Sequence, residues 1–277
     1  MSYPATLDDT VIDQQREKTR HRSADITPLV SVITIVAIIA LWAIASWLRL
    51  VSPVFLPSPL AVLKSTYGLA TVGFVDSTLL QHIGASLYRI FGALAAAIVI
   101  GVPAGLAIAI SKVGKGILDP IVEFLRPLPP LAYLPLIIIW LGIGEASKIT
   151  VIALAMLPPI IISTVSGVKS ASKDHVNAAR SFGASRMKLV RHVLLPSAVP
   201  SILTGVRIAL GAGWSTLVAA ELIAASRGLG FMIQSAAQFL VTDIVISGIF
   251  VIALIAFLFE ILARLLERAL VPWVAHR

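Results

Sequence analysis

NAARSFGASRMKLVRHVLLP, residues 177–196, is the most basic internal stretch of an otherwise apolar chain, with Arg180, Arg186, Lys188 and Arg191 inside it. Gly183 and Ser185 interrupt it. Glycine tolerates the left-handed backbone that ends a helix, and serine caps the start of the next. The stretch therefore reads as two short helices, about 173–182 and 186–195, joined by a sharp bend and closed by Pro196. On the second helix, Met187, Val190 and Leu194 fall on one face at helical spacing, with Arg186, Lys188 and His192 directed elsewhere.

What flanks this hairpin decides the fold class. Hydrophobic residues make up 58% of the 277, charged residues 13%, and the mean hydropathy is +0.96. A soluble domain of this length carries roughly twice that share of charge. The long uncharged runs, in place of alternating ten-residue segments, make the class all-α integral membrane. Six transmembrane helices are expected at about 28–50, 83–111, 123–144, 149–168, 199–225 and 244–266, after a polar tail over 1–27. Ala43-Ile44-Ala45 resembles a signal-peptidase site, but the long polar lead and the length of the apolar run favour a retained first span. A short interfacial helix is expected near 59–70. Pro127, Pro129, Pro130 and Pro135 crowd the third span, so its backbone has to be sheltered by protein and not face lipid.

The net charge of +8 would suggest nucleic acid in a soluble protein. Here the cations cluster in alternate loops, and orientation in a bilayer explains them. With the N-terminus inside, the inner segments hold Arg16, Lys18, Arg20, Arg22, Lys112, Lys115, Lys169, Lys173, the four basic residues of the hairpin, Arg264, Arg268 and Arg277. The outer ends hold only Arg49, Lys64, Lys148 and Arg227. That asymmetry places both termini and the hairpin in the cytoplasm, with Ser185 inside and Lys64 outside.

No catalytic or metal site is expected. The five histidines lie far apart without ligand spacing, there is no cysteine, and no phosphate-binding Gly-x-x-x-x-Gly-Lys-Ser/Thr occurs. Charges inside the spans are more informative. Arg207 and Glu221 fall in the fifth span and would each cost about 2.5–3.5 kcal/mol at the centre of a lipid-facing helix. At about 21 Å apart along that helix they do not reach each other. Either they meet other groups, or they snorkel to the two interfaces, or, with Trp214 and Ser215, they are candidates for lining a translocation path. Glu123 and Arg126 read as a local pair, and Gly228-Leu229-Gly230 as a turn after the fifth span.

The hairpin also carries a resemblance. Ala178, Ala179 and Gly183, then Val193, Leu195 and Pro196, reproduce the spacing of the Glu-Ala-Ala loop of ATP-driven binding-protein-dependent importers. Asn177 stands where that family has Glu, and Val193 where it has Ile. RPLPPLAYLPLIIIWLGIGEASK from Arg126 and GWSTLVAAELIAASRGLGFMIQSA from Gly213 are similar to permeases for nitrate, aliphatic sulfonates and taurine, the second string nearest the taurine members. The resemblance covers about 51–273. It implies a type I importer permease fold in a bacterial inner membrane, working with a second copy of the permease, two ATP-binding subunits and a periplasmic solute-binding protein. ATP and magnesium would sit on the partner ATPase, and this chain would bind no cofactor. In that reading Asn177, Ala178, Ala179, Arg180, Gly183, Ser185, Leu195 and Pro196 form the cytoplasmic coupling helix that docks on the ATPase. The solute expected is taurine or a related small sulfonate, with aliphatic sulfonates and nitrate as alternatives. A transporter working without an ATPase would instead need conspicuous ion-coupling residues or duplicated halves, and neither is evident in the sequence. A basic loop resting on anionic lipid is the alternative for the hairpin, but such a loop has no need of Gly and Leu-Pro at these offsets.

Overall fold

The computed structural model describes residues 27–271, and all of the expected polar tail over 1–27 except Thr27 lies outside them. Among the described residues all regular elements are helices. The chain divides into two units, residues 1–61 and 62–277. In the first, α1 (Thr27–Trp47) is apolar all round and has no buried residue, as a helix solvated by lipid should be. The Trp42 indole donates to Pro57 O at 3.0 Å, tying the loop after α1 back to the helix.

Most of α2 (Pro59–Thr71) belongs to the second unit, and it falls where the short interfacial helix was expected. The chain continues with α3 (Leu79–Ile110), α4 (Lys112–Leu125), α5 (Pro130–Leu141) and α6 (Glu145–Lys169). The hairpin helices α7 (Lys173–Ser181) and α8 (Arg186–Leu189) follow. Then come a π-helical turn (Val190–Leu194), α9 (Leu195–Ala224), α10 (Leu229–Gln238) and α11 (Thr242–Leu270). Among the described residues five helices are long and apolar enough to cross a membrane, and six spans result if the bent pair α4–α5 counts as one.

That pair differs from the single third span expected over 123–144. It begins earlier, at Lys112, and turns through 108° between its halves. Ser111 caps α4 by accepting from the Gly114 N–H at 3.2 Å, so Lys112 and Lys115 belong to a helix and not to a loop. Pro127, Pro129 and Pro130 then withhold three backbone donors within four residues. The first helix cannot propagate, and Pro130 starts the second at a position where the missing N–H costs nothing.

The core lies where α6 packs between α3 and α9. Ile90, Ala93 and Ala97 of α3 meet Ile152, Met156 and Ile160 of α6 and Ala209, Trp214 and Leu217 of α9. Small residues set the approach distance. A Cβ on Gly105 would stand 2.6 Å from Thr164 Cβ, and one on Gly167 would stand 2.9 Å from Ala198 Cα. Lipid tails offer no hydrophobic drive for helix association, so backbone contact of this closeness is what holds spans together.

Candidate functional site

The hairpin is built as its residues suggest, up to Ser185. Ser172 caps α7, accepting from the Asp174 N–H. Gly183 takes φ +76°, and Ser185 caps α8 by accepting from the Lys188 N–H at 3.4 Å. Beyond that point the chain does not close at Pro196. Pro196 has no N–H for the carbonyl one turn back, and its ring would press on that carbonyl. The helix widens to a π turn, in which Leu195 N–H reaches Val190 O, and it runs straight on into α9. Residues 186–223 are thus one continuous rod, polar at its start and apolar beyond. The inward residue of α8 is Leu189 and not Met187, which is 74% exposed. Asn177, Ala178, Arg180, Gly183 and Ser185 are exposed, and Ala179 is half-buried. Phe182, at the tip, is 91% exposed.

The opposite end of the helices holds a polar cluster. Arg89 of α3, only 3% exposed, donates Nη1 to Glu221 Oε1 at 2.6 Å and to Arg227 O at 2.7 Å. Its Nε and Nη2 grip Glu145 at 2.6 and 2.8 Å, a bidentate pair at the start of α6. Lys148 donates to the same carboxylate at 2.8 Å. Glu221, 0% exposed, also accepts from Ser86 Oγ and from the Gly230 N–H, each at 2.8 Å. Two cations and two carboxylates therefore balance, which is the condition for holding charge away from water.

The loop between α9 and α10 closes over this cluster. Gly228 N–H donates to His82 Nδ1 at 3.1 Å, and Leu229 N–H donates to Ser86 Oγ at 2.9 Å. His82 Nε2 lies 3.1 Å from Phe74 O, so the ring carries its proton on Nε2. Gly228 has φ +133°, and a Cβ there would stand 2.5 Å from Glu221 Cδ and 2.6 Å from Arg89 Nη1. The Gly-Leu-Gly that reads as a turn is the cover of an ion cluster. Sequence reasoning misses Arg89 and Glu145 and takes Lys148 only as an outer cation. Arg89 is nonetheless the lone arginine or lysine in the run 79–111, and as such a visible signal.

The expected path residues are not brought together. Glu221 sits in the cluster just described. Arg207, near the middle of α9, donates to Glu260 at 2.5 Å and to Glu267 at 3.0 Å, clasping α11. Trp214 is 8% exposed and packs on Phe259, with ring centroids 6.1 Å apart. Ser215 is exposed, its hydroxyl turned back onto Gly211 O. Glu123 and Arg126 do not form the local pair expected of them: among the described residues neither has an ion-pair partner. Arg126 is the C-cap residue at which the chain swings away from the α4 axis.

The described residues thus form a helical bundle with up to six candidate membrane spans, the third of them bent, and an exposed helical hairpin. Comparison with solved structures agrees on the fold. A chain of the MetNI methionine ABC transporter in an inward-facing conformation superimposes with TM-score 0.63 at 20% identity, over 69% of this chain and 95% of that one. A chain of an amino acid ABC transporter with histidines gives TM-score 0.56 at 20% identity, over 76% and 97%. Residues 97–272 match the family of binding-protein-dependent transport system inner membrane components, and the chain belongs to that family. Among curated relatives, the taurine transport system permease protein TauC of Escherichia coli (strain K12) is 54% identical over 88% of this chain and 89% of its own length. The putative aliphatic sulfonates transport permease protein SsuC of the same organism is 40% identical over 86% and 89%. The nitrate import permease protein NrtB of Synechocystis is 37% identical over 78% and 81%. The chain is therefore a multi-pass inner-membrane permease subunit of a binding-protein-dependent ABC importer, and not an enzyme in itself.

Proposed function

We propose that this permease carries taurine or a closely related small sulfonate inward, driven by ATP hydrolysis on a separate subunit. The observation that carries the solute is the 54% identity to a taurine permease, spread over 88% of the chain. What supports the coupling role is the hairpin over 173–194. It is polar, exposed and joined without a break to α9, so a push on α8 travels along a continuous rod into the bundle.

In this reading two copies of the chain pair in the membrane, two ATPase subunits bind ATP and magnesium, and a periplasmic binding protein delivers solute. Both termini and the hairpin face the cytoplasm. Asn177, Ala178, Ala179, Arg180, Gly183 and Ser185 meet the ATPase, with Phe182 as an apolar knob among cations, and Leu195 and Pro196 carry the rod from the π turn into α9. Ser215 lines the path. Arg207 and Glu221 serve it indirectly, by fixing α9 to α11 and to α3. The test is reconstitution of the chain with its ATPase and binding protein. ATP hydrolysis is then measured with taurine, ethanesulfonate and nitrate. Stimulation by taurine is expected. Stimulation by nitrate alone removes the sulfonate assignment, and equal stimulation by ethanesulfonate removes recognition of the amine.

A further inference from the structure

A cavity of about 400 Å³ opens where the bent pair α4–α5 meets α6 and α9. Its lining includes Arg126, Tyr133, Leu154, Ala155, Pro158 and Ser163, with Ile208 of α9 on the far side. On α6, a helix about 37 Å long, Leu154 to Ser163 lie roughly 14–27 Å from its start. Ile208 is likewise near the middle of α9. The cavity therefore lies at mid-length of both helices, away from their ends.

Three features there are incompatible with lipid. Residues 126–129 are non-helical chain, with Pro127 and Pro129 exposed. Irregular backbone at this depth persists only against protein or around water. The Arg126 guanidinium has no hydrogen bond and no ion pair among the described residues, whereas Arg89 and Arg207 each have two carboxylates. An arginine at mid-depth without a partner marks a path for ions or solutes. Finally, Pro158 and Pro159 supply no N–H, so the carbonyls of Leu154 and Ala155 lose their helical donors. Both residues line this cavity, and such carbonyls need a donor from water or solute.

The lining is also selective in sign. It contains the donors of Arg126, Tyr133 and Ser163 and, among the described residues, not one carboxylate. A planar guanidinium presents paired N–H groups to a tetrahedral oxyanion, and backed by two hydroxyls it favours an anion strongly over a cation. We propose that this cavity is a solute-binding site of the permease itself, in which Arg126 holds the sulfonate group of the transported molecule midway across the bilayer. The proposal rests on the sulfonate reading above for the identity of the anion, and on the cavity alone for its sign.

The chain has no native cysteine, so single thiols report directly. Ser163→Cys, and separately Ala212→Cys on the facing wall, are placed in the complete transporter in membranes. They are treated with a methanethiosulfonate bearing a sulfonate and with one bearing a trimethylammonium. Reaction with the anionic reagent is expected to be about tenfold faster, the usual scale of one charge-assisted hydrogen bond. Ethanesulfonate should slow it, and Arg126→Gln should abolish the preference. In proteoliposomes, Arg126→Gln should lower taurine uptake per ATP hydrolysed about tenfold, with Arg126→Lys intermediate. Equal rates with the two reagents at both positions, or wild-type uptake by Arg126→Gln, overturn the site while the importer reading stands. Absence of any sulfonate-stimulated hydrolysis in the wild type sinks the solute reading and leaves the thiol measurement to decide whether the cavity selects anions. If Arg126→Gln does not assemble, the two single-cysteine proteins that retain Arg126 decide the matter: anion preference blocked by ethanesulfonate supports the site, and equal rates overturn it.

Discussion

Glu221→Gln is the sharpest perturbation of this structure. It changes almost no volume, yet it strikes the most buried charge in the described chain, at 0% exposure. Glu221 Oε1 accepts from Ser86 and Arg89, and Oε2 accepts from the Gly230 N–H. A glutamine has one acceptor and one donor in those places. However the amide is turned, an NH2 faces either the Gly230 N–H or the Arg89–Ser86 pair. Removing one partner of a buried ion pair costs about 3–5 kcal/mol. Arg89 keeps its bidentate contact with Glu145, which argues for the lower end, about 3 kcal/mol. For a chain of this size that corresponds to roughly 6–12 °C in melting temperature. Arg89→Met strands Glu221 and loosens Glu145 together, so it should be at least as damaging. Arg89→Met with Glu221→Met removes both buried charges and should cost less than the sum of the singles. The assay is thermal unfolding of detergent-purified protein, followed by tryptophan fluorescence and by recovery of monodisperse protein after heating. A melting point for Glu221→Gln within about 1 °C of wild type would refute the reasoning, as would strict additivity in the double variant.

Gly228→Ala should destabilise the same cluster, because φ is +133° and the new Cβ would stand 2.5 Å from Glu221 Cδ; an unchanged melting point would show that the loop does not cover it. Gly183→Val should insert and melt nearly normally but lose solute-stimulated hydrolysis. No atom lies within 4 Å of a Cβ there, so its effect is purely the strain of φ +76°, about 1–2 kcal/mol, and normal coupling would remove the bend from the mechanism. Ser185→Cys should resist a membrane-impermeant thiol reagent in intact cells while Lys64→Cys reacts, and the reverse pattern would invert the topology.

Much of this molecule is legible along one dimension. Apolar runs long enough to cross a bilayer announce an all-helical membrane protein, because lipid leaves the backbone no other way to satisfy itself. Gly183 and Ser185 mark a helix end and a helix start, because those conformations are local. The spacing from Ala178 to Pro196 carries the resemblance to the importer family for the same reason: a docking hairpin is a contiguous segment.

What required the tertiary structure is everything that joins distant residues. Glu221 and Arg207 look like isolated charges in one span. Only the packing of α9 against α3 and α11 supplies Arg89, Glu260 and Glu267 as their partners. The converse holds for Arg126, which looks paired because Glu123 lies three residues away. The helix ends there instead, and the side chain is left in a cavity built from α5, α6 and α9. Pro196 looks like a stop and is carried through by a π turn, in which the Leu195 N–H reaches Val190 O. Periodicity and capping are local energies and can be read from neighbours in sequence. Whether Arg89, Arg207 and Glu221 are neutralised depends on contacts made across 53 to 132 residues of chain.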